Sequence, residues 1–316
     1  MADKTIITTA GEILVEFVSH KTGCGLSRIA PYSGPFPSGA PAIFLDQAAR
    51  MGAETRIFGG LGDDGFGRSV LDRLNADGVD TSGVTVTPGL ATGVAFVSYY
   101  DDGRRDFIFH LTDTAADHFA VPDLLPDANC TWLHVSGASL GSAALRAAIM
   151  ALVLKVDQAG GRITCDPNMR PELMRDPAAS QALRDVMSRS HILLPSTSDL
   201  EFLYPGLKEA EAVEKMRETK AEITVLKRGA GGATVVQGDQ HHELPGHKVA
   251  ELDPTGAGDC FCGTFLALLA QGVAAPDAAR AANAAGAIAV TRRGPMEGNS
   301  SPQEIASFLA DREAFI

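Results

Sequence analysis

Short runs of apolar and β-branched residues alternate along this chain with longer stretches in which apolar positions return every three or four residues. The runs Ile6–Thr9, Thr55–Phe58, Trp132–Val135, Ile163–Cys165, Ile192–Leu194 and Ile223–Leu226 read as buried strands. The stretches Ala42–Met51, Arg68–Asn75, Ala143–Ala159 and Gln181–Ser190 carry the spacing of helices with one apolar face. Such β-α-β alternation predicts a parallel sheet with helices on both faces. Two segments break the pattern. Gly11–Gly39 and Thr92–His110 alternate like strands, contain Gly and Pro, and are expected to pair as a small antiparallel sheet over a cleft. The stretch Pro31–Pro41 leads straight into a helix, so it reads as a tight turn rather than a linker. No internal repeat or low-complexity tract is present.

A length of 316 residues suits one large core with a small subdomain, so a single domain over 1–316 is expected, its subdomain formed by about 12–39 and 92–112. The formal net charge of -12 and the lack of a Lys/Arg cluster argue against nucleic acid or an anionic membrane as partner. A small soluble ligand fits better. The segment Met1–Thr9 has no charged-then-apolar leader, and no apolar run approaches the roughly 20 residues needed to span a bilayer, so a cytoplasmic location is expected. The five cysteines include no C-x-x-C pair, and Cys260-x-Cys262 lacks companion zinc ligands, so reduced and mostly buried thiols are expected.

The strongest chemical signal is Asp253-Pro254-Thr255-Gly256-Ala257-Gly258-Asp259, followed at once by the helical pattern Phe261, Phe265, Leu266, Leu268, Leu269. Glycines at 256 and 258 let backbone N–H groups converge, and the helix dipole adds positive charge, which together suit a transferring phosphoryl group. Asp259 would stand beside that hole as the acceptor of a hydroxyl proton. Equally, Asp259 could cap the helix while the glycines only turn the chain. A second cluster, Gly60-Leu61-Gly62-Asp63-Asp64-Gly65, matches G-x-G-x-x-G, but two carboxylates would face a pyrophosphate and the acidic residue due about 20 positions on is missing. A dinucleotide site is rejected. With no Gly-Lys dipeptide, a P-loop is excluded too. The third cluster, Lys227-Arg228-Gly229-Ala230-Gly231-Gly232, reads either as a nucleotide-approach turn or as a hairpin into Thr234-Val235-Val236.

Taken in order, these segments resemble the ribokinase-like (PfkB) carbohydrate kinase family over nearly the whole chain. Gly59–Gly67 looks like its first signature and Asp253–Asp259 like its second. The resemblance implies a ribokinase-like fold: a doubly wound, mostly parallel sheet flanked by helices, with a small β-sheet lid. It also implies ATP and Mg2+ as cofactors, Asp259 as base, and the backbone of Gly256, Ala257 and Gly258 as anion hole. For ATP it points to Asn168, Ser196, Lys227, Gly229, Gly232, Gly256, Gly258 and Asn283, the last on the helical stretch Ala278–Val290. The family's magnesium-organising N-x-x-E motif falls on Ser196-Thr197-Ser198-Asp199, where both end residues depart from it. Asp253 and Thr255 match positions that hold a monovalent cation, K+, in some relatives.

Within the family, Gly11-Glu12, Asp166-Pro167-Asn168-Met169-Arg170-Pro171 and the Pro of Asp253-Pro254-Thr255 most resemble the 2-keto-3-deoxygluconate kinase and fructokinase-like branch. Acid-sugar recognition there leans on two arginines and tyrosines. Here Arg170 matches one arginine, whereas His110 stands at the second, Ala95 and Ile108 at the tyrosines, and Pro295 at a late acidic position. A neutral keto sugar of the fructose or tagatose type is therefore expected, with 2-keto-3-deoxygluconate as the alternative. Gly39 and Ala40 match the turn that meets sugar hydroxyls, although the family's asparagine is Ile43, and His110, Arg170 and Asp259 complete the expected sugar site. His110 could instead be a solvent-exposed lid residue, and Arg170 a partner of Glu172 or Asp176. A non-catalytic sugar- or nucleotide-responsive regulator is the alternative from another class, motivated by Ser196 and Asp199. A homodimer formed lid against lid is also expected, because an isolated small sheet is marginal in water.

Overall fold

The computed structural model describes residues 5–313 apart from 103, 124 and 126, so the single-domain expectation for 1–316 extends beyond the described residues at both ends. The chain forms β1 (Ile6–Ala10), β2 (Leu14–Ser19), β3 (Tyr32–Ser38), α1 (Ala40–Arg50), β4 (Glu54–Gly62), α2 (Gly65–Ala76), β5 (Asp80–Thr87), β6 (Gly93–Tyr99) and β7 (Arg105–His110). It continues through β8 (Thr131–Ser136), α3 (Ala143–Gln158), β9 (Arg162–Asp166), α4 (Pro177–Arg189), β10 (Ile192–Leu193), α5 (Thr197–Leu203) and α6 (Glu209–Met216). Then follow β11 (Ile223–Lys227), β12 (Ala233–Gln237), β13 (Gln240–Leu244), α7 (Ala257–Ala270), α8 (Ala275–Ala289) and α9 (Pro302–Glu313).

The larger sheet has nine strands in the order β13-β12-β11-β10-β9-β8-β1-β4-β5. Every pairing from β11 to β5 is parallel, and β12 and β13 add an antiparallel edge. Successive strand residues face opposite sides. Thus Ile57, Ile192, Val225 and Val235 join the core under α1, α2, α7, α8 and α9. Their neighbours Phe58, Leu193, Leu226 and Val236 join a second core under α3, α4, α5 and α6. This is a doubly wound α/β fold, and burial on both faces explains why the strands read as continuous apolar runs.

The second sheet has four strands in the order β3-β2-β6-β7. Its outer pairs are antiparallel, but the central pair β2 and β6 is parallel, with Leu14 opposite Gly93 and Val18 opposite Val97. The expectation of a purely antiparallel sheet is corrected. Both β2 and β6 follow parallel strands of the large sheet, β1 and β5, and so leave it in the same direction.

The rejected G-x-G-x-x-G segment has a packing role. A Cβ at Gly60 would lie 1.9 Å from the Ala115 carbonyl oxygen, so glycine admits the turn at 115–118. Asp64 caps α2, its carboxylate accepting the Gly67 N–H at 2.8 Å and the Thr92 N–H and hydroxyl at 2.8 Å each. One carboxylate thereby ties the start of α2 to the entrance of the small sheet. Among the described residues no helix is long and apolar enough to cross a membrane.

Candidate active site

A cavity of about 790 Å³ opens where β9, β10 and β11 end and α7 begins, the edge of an open α/β sheet at which ligands bind. Four loops build it. Asn168 and Arg170 follow β9, Ser196 and Asp199 follow β10, Lys227, Gly229 and Gly232 end and follow β11, and Gly256 to Asp259 open α7. Asn283 of α8 and Arg105 of β7 also line it.

Gly256 is the N-cap of α7 in the left-handed conformation, φ 81°, and no side chain caps the helix. A Cβ there would lie 2.4 Å from the Pro295 carbonyl oxygen, so both the turn and the close approach require glycine. The first intrahelical bond runs from Cys260 N–H to the Gly256 oxygen at 2.8 Å. The N–H groups of Ala257, Gly258 and Asp259 therefore have no intrahelical acceptor and point toward the cavity end of the helix. Asp259, the alternative capping residue, makes no side-chain hydrogen bond among the described residues and lines the cavity. Burial first, and then the charge of Asp166, pushes its carboxyl up to about 7 against the opposing pull of Lys227 and Arg170. Such a group exchanges protons near neutrality, which is what a general base requires.

Lys227 forms a buried ion pair with Asp166. Burial works against its charge, but the carboxylates of Asp166 and Asp199 outweigh it and hold Lys227 well above the ordinary lysine range. The glycine turn after β11 is both things the sequence suggested: β11 and β12 form an antiparallel hairpin, and Gly229 and Gly232 line the cavity. Arg228 fastens that turn through Glu209 at 2.8 Å. Asn283 donates to the Pro245 carbonyl at 3.3 Å while lining the cavity, so it ties α8 to the segment after β13 at the cavity wall.

Ser196 and Asp199 form a capping box on α5. One Asp199 oxygen accepts the Ser196 N–H and hydroxyl at 2.7 and 2.6 Å, and the other accepts the Met169 N–H at 2.7 Å. The carboxylate is thus committed to joining the loops after β9 and β10, and it could meet a nucleotide-bound Mg2+ only through water. Asp253 is likewise engaged. It accepts the Tyr99 hydroxyl and the Thr255 N–H at 3.0 Å on one oxygen and the Gly294 N–H at 2.9 Å on the other, while Tyr99 also meets the Thr255 hydroxyl at 2.6 Å. These bonds tie the small sheet, through Tyr99, to the loop that opens α7.

The cavity lining does not include Gly39, Ala40 or His110. Gly39 is buried at φ 104°, where a Cβ would meet the Glu12 oxygen at 2.4 Å, so its turn wraps the Glu12 backbone. The Ala40 N–H bonds Glu12. His110 is exposed at the end of β7, as its solvent reading had it. Arg170 lines the cavity rather than pairing with Glu172 or Asp176, the latter being bound by Arg146 at 2.5 Å. Two residues were missed. Asp166 was visible only as part of a quoted segment, and Arg105 carried no signal except its place on a strand of the small sheet. Arg105 is held below the ordinary arginine range by burial and by Arg170, and neither guanidinium has a hydrogen-bond acceptor among the described residues.

The family model described as pfkB family carbohydrate kinase matches residues 33–302. A fructokinase of Vibrio alginolyticus is 30% identical over 280 residues, covering 86% of this chain and 91% of its own. A 2-dehydro-3-deoxygluconokinase of Thermoproteus tenax is 34% identical over 311 residues, covering 96% and 94%. A structure from E. coli described as a ribokinase II in complex with ATP and Mg2+ superposes with a TM-score of 0.90 at 39% identity, covering 97% of this chain and 99% of that one.

Proposed function

The chain belongs to the pfkB family of carbohydrate kinases, and we propose that it transfers the γ-phosphoryl group of ATP to a hydroxyl of a small keto sugar with Asp259 as general base. The observation that carries this is the unpartnered Asp259 carboxylate beside the free N–H groups at the start of α7, inside the cavity. Asp259 takes the hydroxyl proton as the oxygen attacks. Charge developing on the phosphoryl group meets the N–H groups of Gly256, Ala257 and Gly258, which need no reorganisation at that moment. ATP would be held by Asn168, Ser196, Lys227 to Gly232 and Asn283, and Mg2+ on its phosphates, with Asp199 as the candidate carboxylate, would supply charge neutralisation. The small sheet supplies Arg105 and Tyr99 and acts as a lid that excludes water. An Asp259 that caps nothing speaks against the non-catalytic regulator.

For the acceptor, the expectation of a neutral ketohexose rested on the loss of the second branch arginine. One observation favours the second reading, a keto sugar bearing a carboxylate. Arg105 lines the cavity with Arg170, and burial together with the like charge of Arg170 outweighs the pull of Glu251 and Asp253 on it, so a substrate carboxylate would relieve that repulsion. An ADP-release screen over neutral and acidic keto sugars separates the two. An acid sugar that loses about 10–100-fold in kcat/KM with Arg105→Ala, as expected for a truncated charge-assisted bond, supports the second reading. A neutral ketohexose turned over best, unaffected by Arg105→Ala, supports the first.

A further inference from the structure

Beneath the anion hole lies a charge pair in which Asp166 has no role above and the burial of Lys227 against it is unexplained by nucleotide contact. Lys227 ends β11 and Asp166 ends β9, and their side chains in ion-pair contact are only 11% and 4% exposed. The Cys262 thiol on α7 touches both, 3.5 Å from Lys227 Nζ and 3.4 Å from Asp166 Oδ2, while the other Asp166 oxygen accepts the Asn168 N–H at 3.1 Å. A Cβ built on Gly258 would lie 3.7 Å from Lys227 Nζ, which puts the ammonium directly under the first turn of α7. Both side chains line the cavity that holds Asp259. A buried ion pair is weak evidence for stability, since well-packed apolar replacements are often neutral or stabilising. Its place under the phosphoryl-binding turn calls for a role in the reaction.

Building on the proposed phosphoryl transfer, we infer that Asp166 and Lys227 are a positioning pair: Lys227 presents positive charge to the transferring phosphoryl group through the floor of the site, and Asp166 fixes it there. Together they set the charge environment of Asp259. The charged groups that act on Asp259 are Asp166 of β9, Lys227 of β11, Arg170 of the loop after β9 and Glu12 of the segment after β1. Asp166 and Lys227 act on it in opposite senses, Asp166 raising its proton affinity and Lys227 lowering it. The two cysteines of its own helix, Cys260 and Cys262, are driven by burial far above the thiol range and stay neutral.

Opposite senses give a readout that a purely structural pair would not move. The pH profile of kcat/KM is measured with the best acceptor from the screen, and ATP affinity is measured separately by calorimetry. Asp166→Asn should shift the acid limb to lower pH, and Lys227→Met should shift it to higher pH, each by about one unit. Lys227→Met should also lower plateau kcat roughly 100-fold, the loss expected for one preorganised phosphoryl contact, with a smaller change in ATP affinity. Folded single variants whose acid limbs stay in place overturn the inference. If the singles fail to fold, the double replacement Asp166→Leu with Lys227→Met decides. Loss of plateau kcat at near-normal ATP affinity supports the role, and wild-type turnover overturns it. A wild-type protein that releases no ADP with any sugar would instead defeat the underlying kinase reading, which separates the two failures.

Discussion

Substituting the two glycines that open α7 separates the fold of that turn from its chemistry. At Gly256 the backbone is left-handed, φ 81°, and the new Cβ would lie 2.4 Å from the Pro295 carbonyl oxygen, a backbone atom that cannot swing aside. The conformation costs an alanine about 1–2 kcal/mol. Forcing the two chains apart costs about 1–3 kcal/mol more. Gly256→Ala should therefore destabilise by about 2–5 kcal/mol, which at roughly 2 °C per kcal/mol for a chain of this size lowers Tm by about 4–10 °C. Gly258 has no positive φ, and the nearest atom to its added Cβ is Lys227 Nζ at 3.7 Å, an ordinary contact. Gly258→Ala should leave Tm unchanged or slightly higher, since alanine favours a helix over glycine by about 1 kcal/mol. Its methyl group would stand on the exposed face of the first turn, where the phosphoryl group must approach, and kcat should fall about 100- to 1000-fold, as when one oxyanion donor is lost. Calorimetry and an ADP-release assay on both variants give the comparison. A Gly258→Ala protein with near-wild-type kcat would refute the anion hole, and an unshifted Tm for Gly256→Ala would refute the strain argument.

Stability of the ligand-free protein should fall as pH rises through neutrality. Burial pushes Asp46 and Asp259 up to about 7 and Glu16 to about 8. Acids raised above their unfolded values, near 4, contribute stability that is fully present below about pH 4, is lost progressively as pH climbs from there, and is gone above their folded values of 7 to 8. In Asp64 and Asp157 hydrogen bonds outweigh burial and lower the values, so their contribution is lost only below about pH 4. Differential scanning calorimetry at constant ionic strength should show Tm declining from pH 6 to 8.5, and a rising Tm would contradict the assignment. Because Tyr99 and two backbone N–H groups already engage Asp253, exchanging Na+ for K+ should leave turnover unchanged; several-fold activation by K+ would count against it. Ile108 is 43% exposed on the edge strand β7; if the small sheets of two copies pair there, Ile108→Lys should convert a dimer to a monomer in sedimentation velocity.

What the sequence revealed and what it hid follow from how local each determinant is. The buried strands Ile163–Cys165 and Ile223–Leu226 were visible because burial on both faces leaves an uninterrupted apolar run. The edge strands β5 and β13 mix polar residues into theirs and were passed over, whereas β12 was visible as the hairpin alternative for the glycine turn after Leu226. The parallel pairing of β2 with β6 depends on how two distant strands leave the large sheet, which no local pattern encodes. At the site, Gly256 to Asp259 were legible because a glycine turn and a helix start lie in one stretch. Arg105 was not, since its role arises only when β7 is laid beside the loop carrying Arg170. Asp64 shows the opposite error a motif invites: a G-x-G-x-x-G match whose acid is a helix cap and whose glycine clears a neighbouring carbonyl.

The central claim is that Asp259 is the base of a phosphoryl transfer, and one variant tests it most directly. Asp259→Asn keeps the side-chain shape and, with no hydrogen bond to break among the described residues, should fold and bind ATP normally by calorimetry. Its kcat with the best sugar should fall about 100- to 10,000-fold, the range general-base catalysis supplies. Turnover close to that of the wild type, with ATP binding intact, would contradict the account.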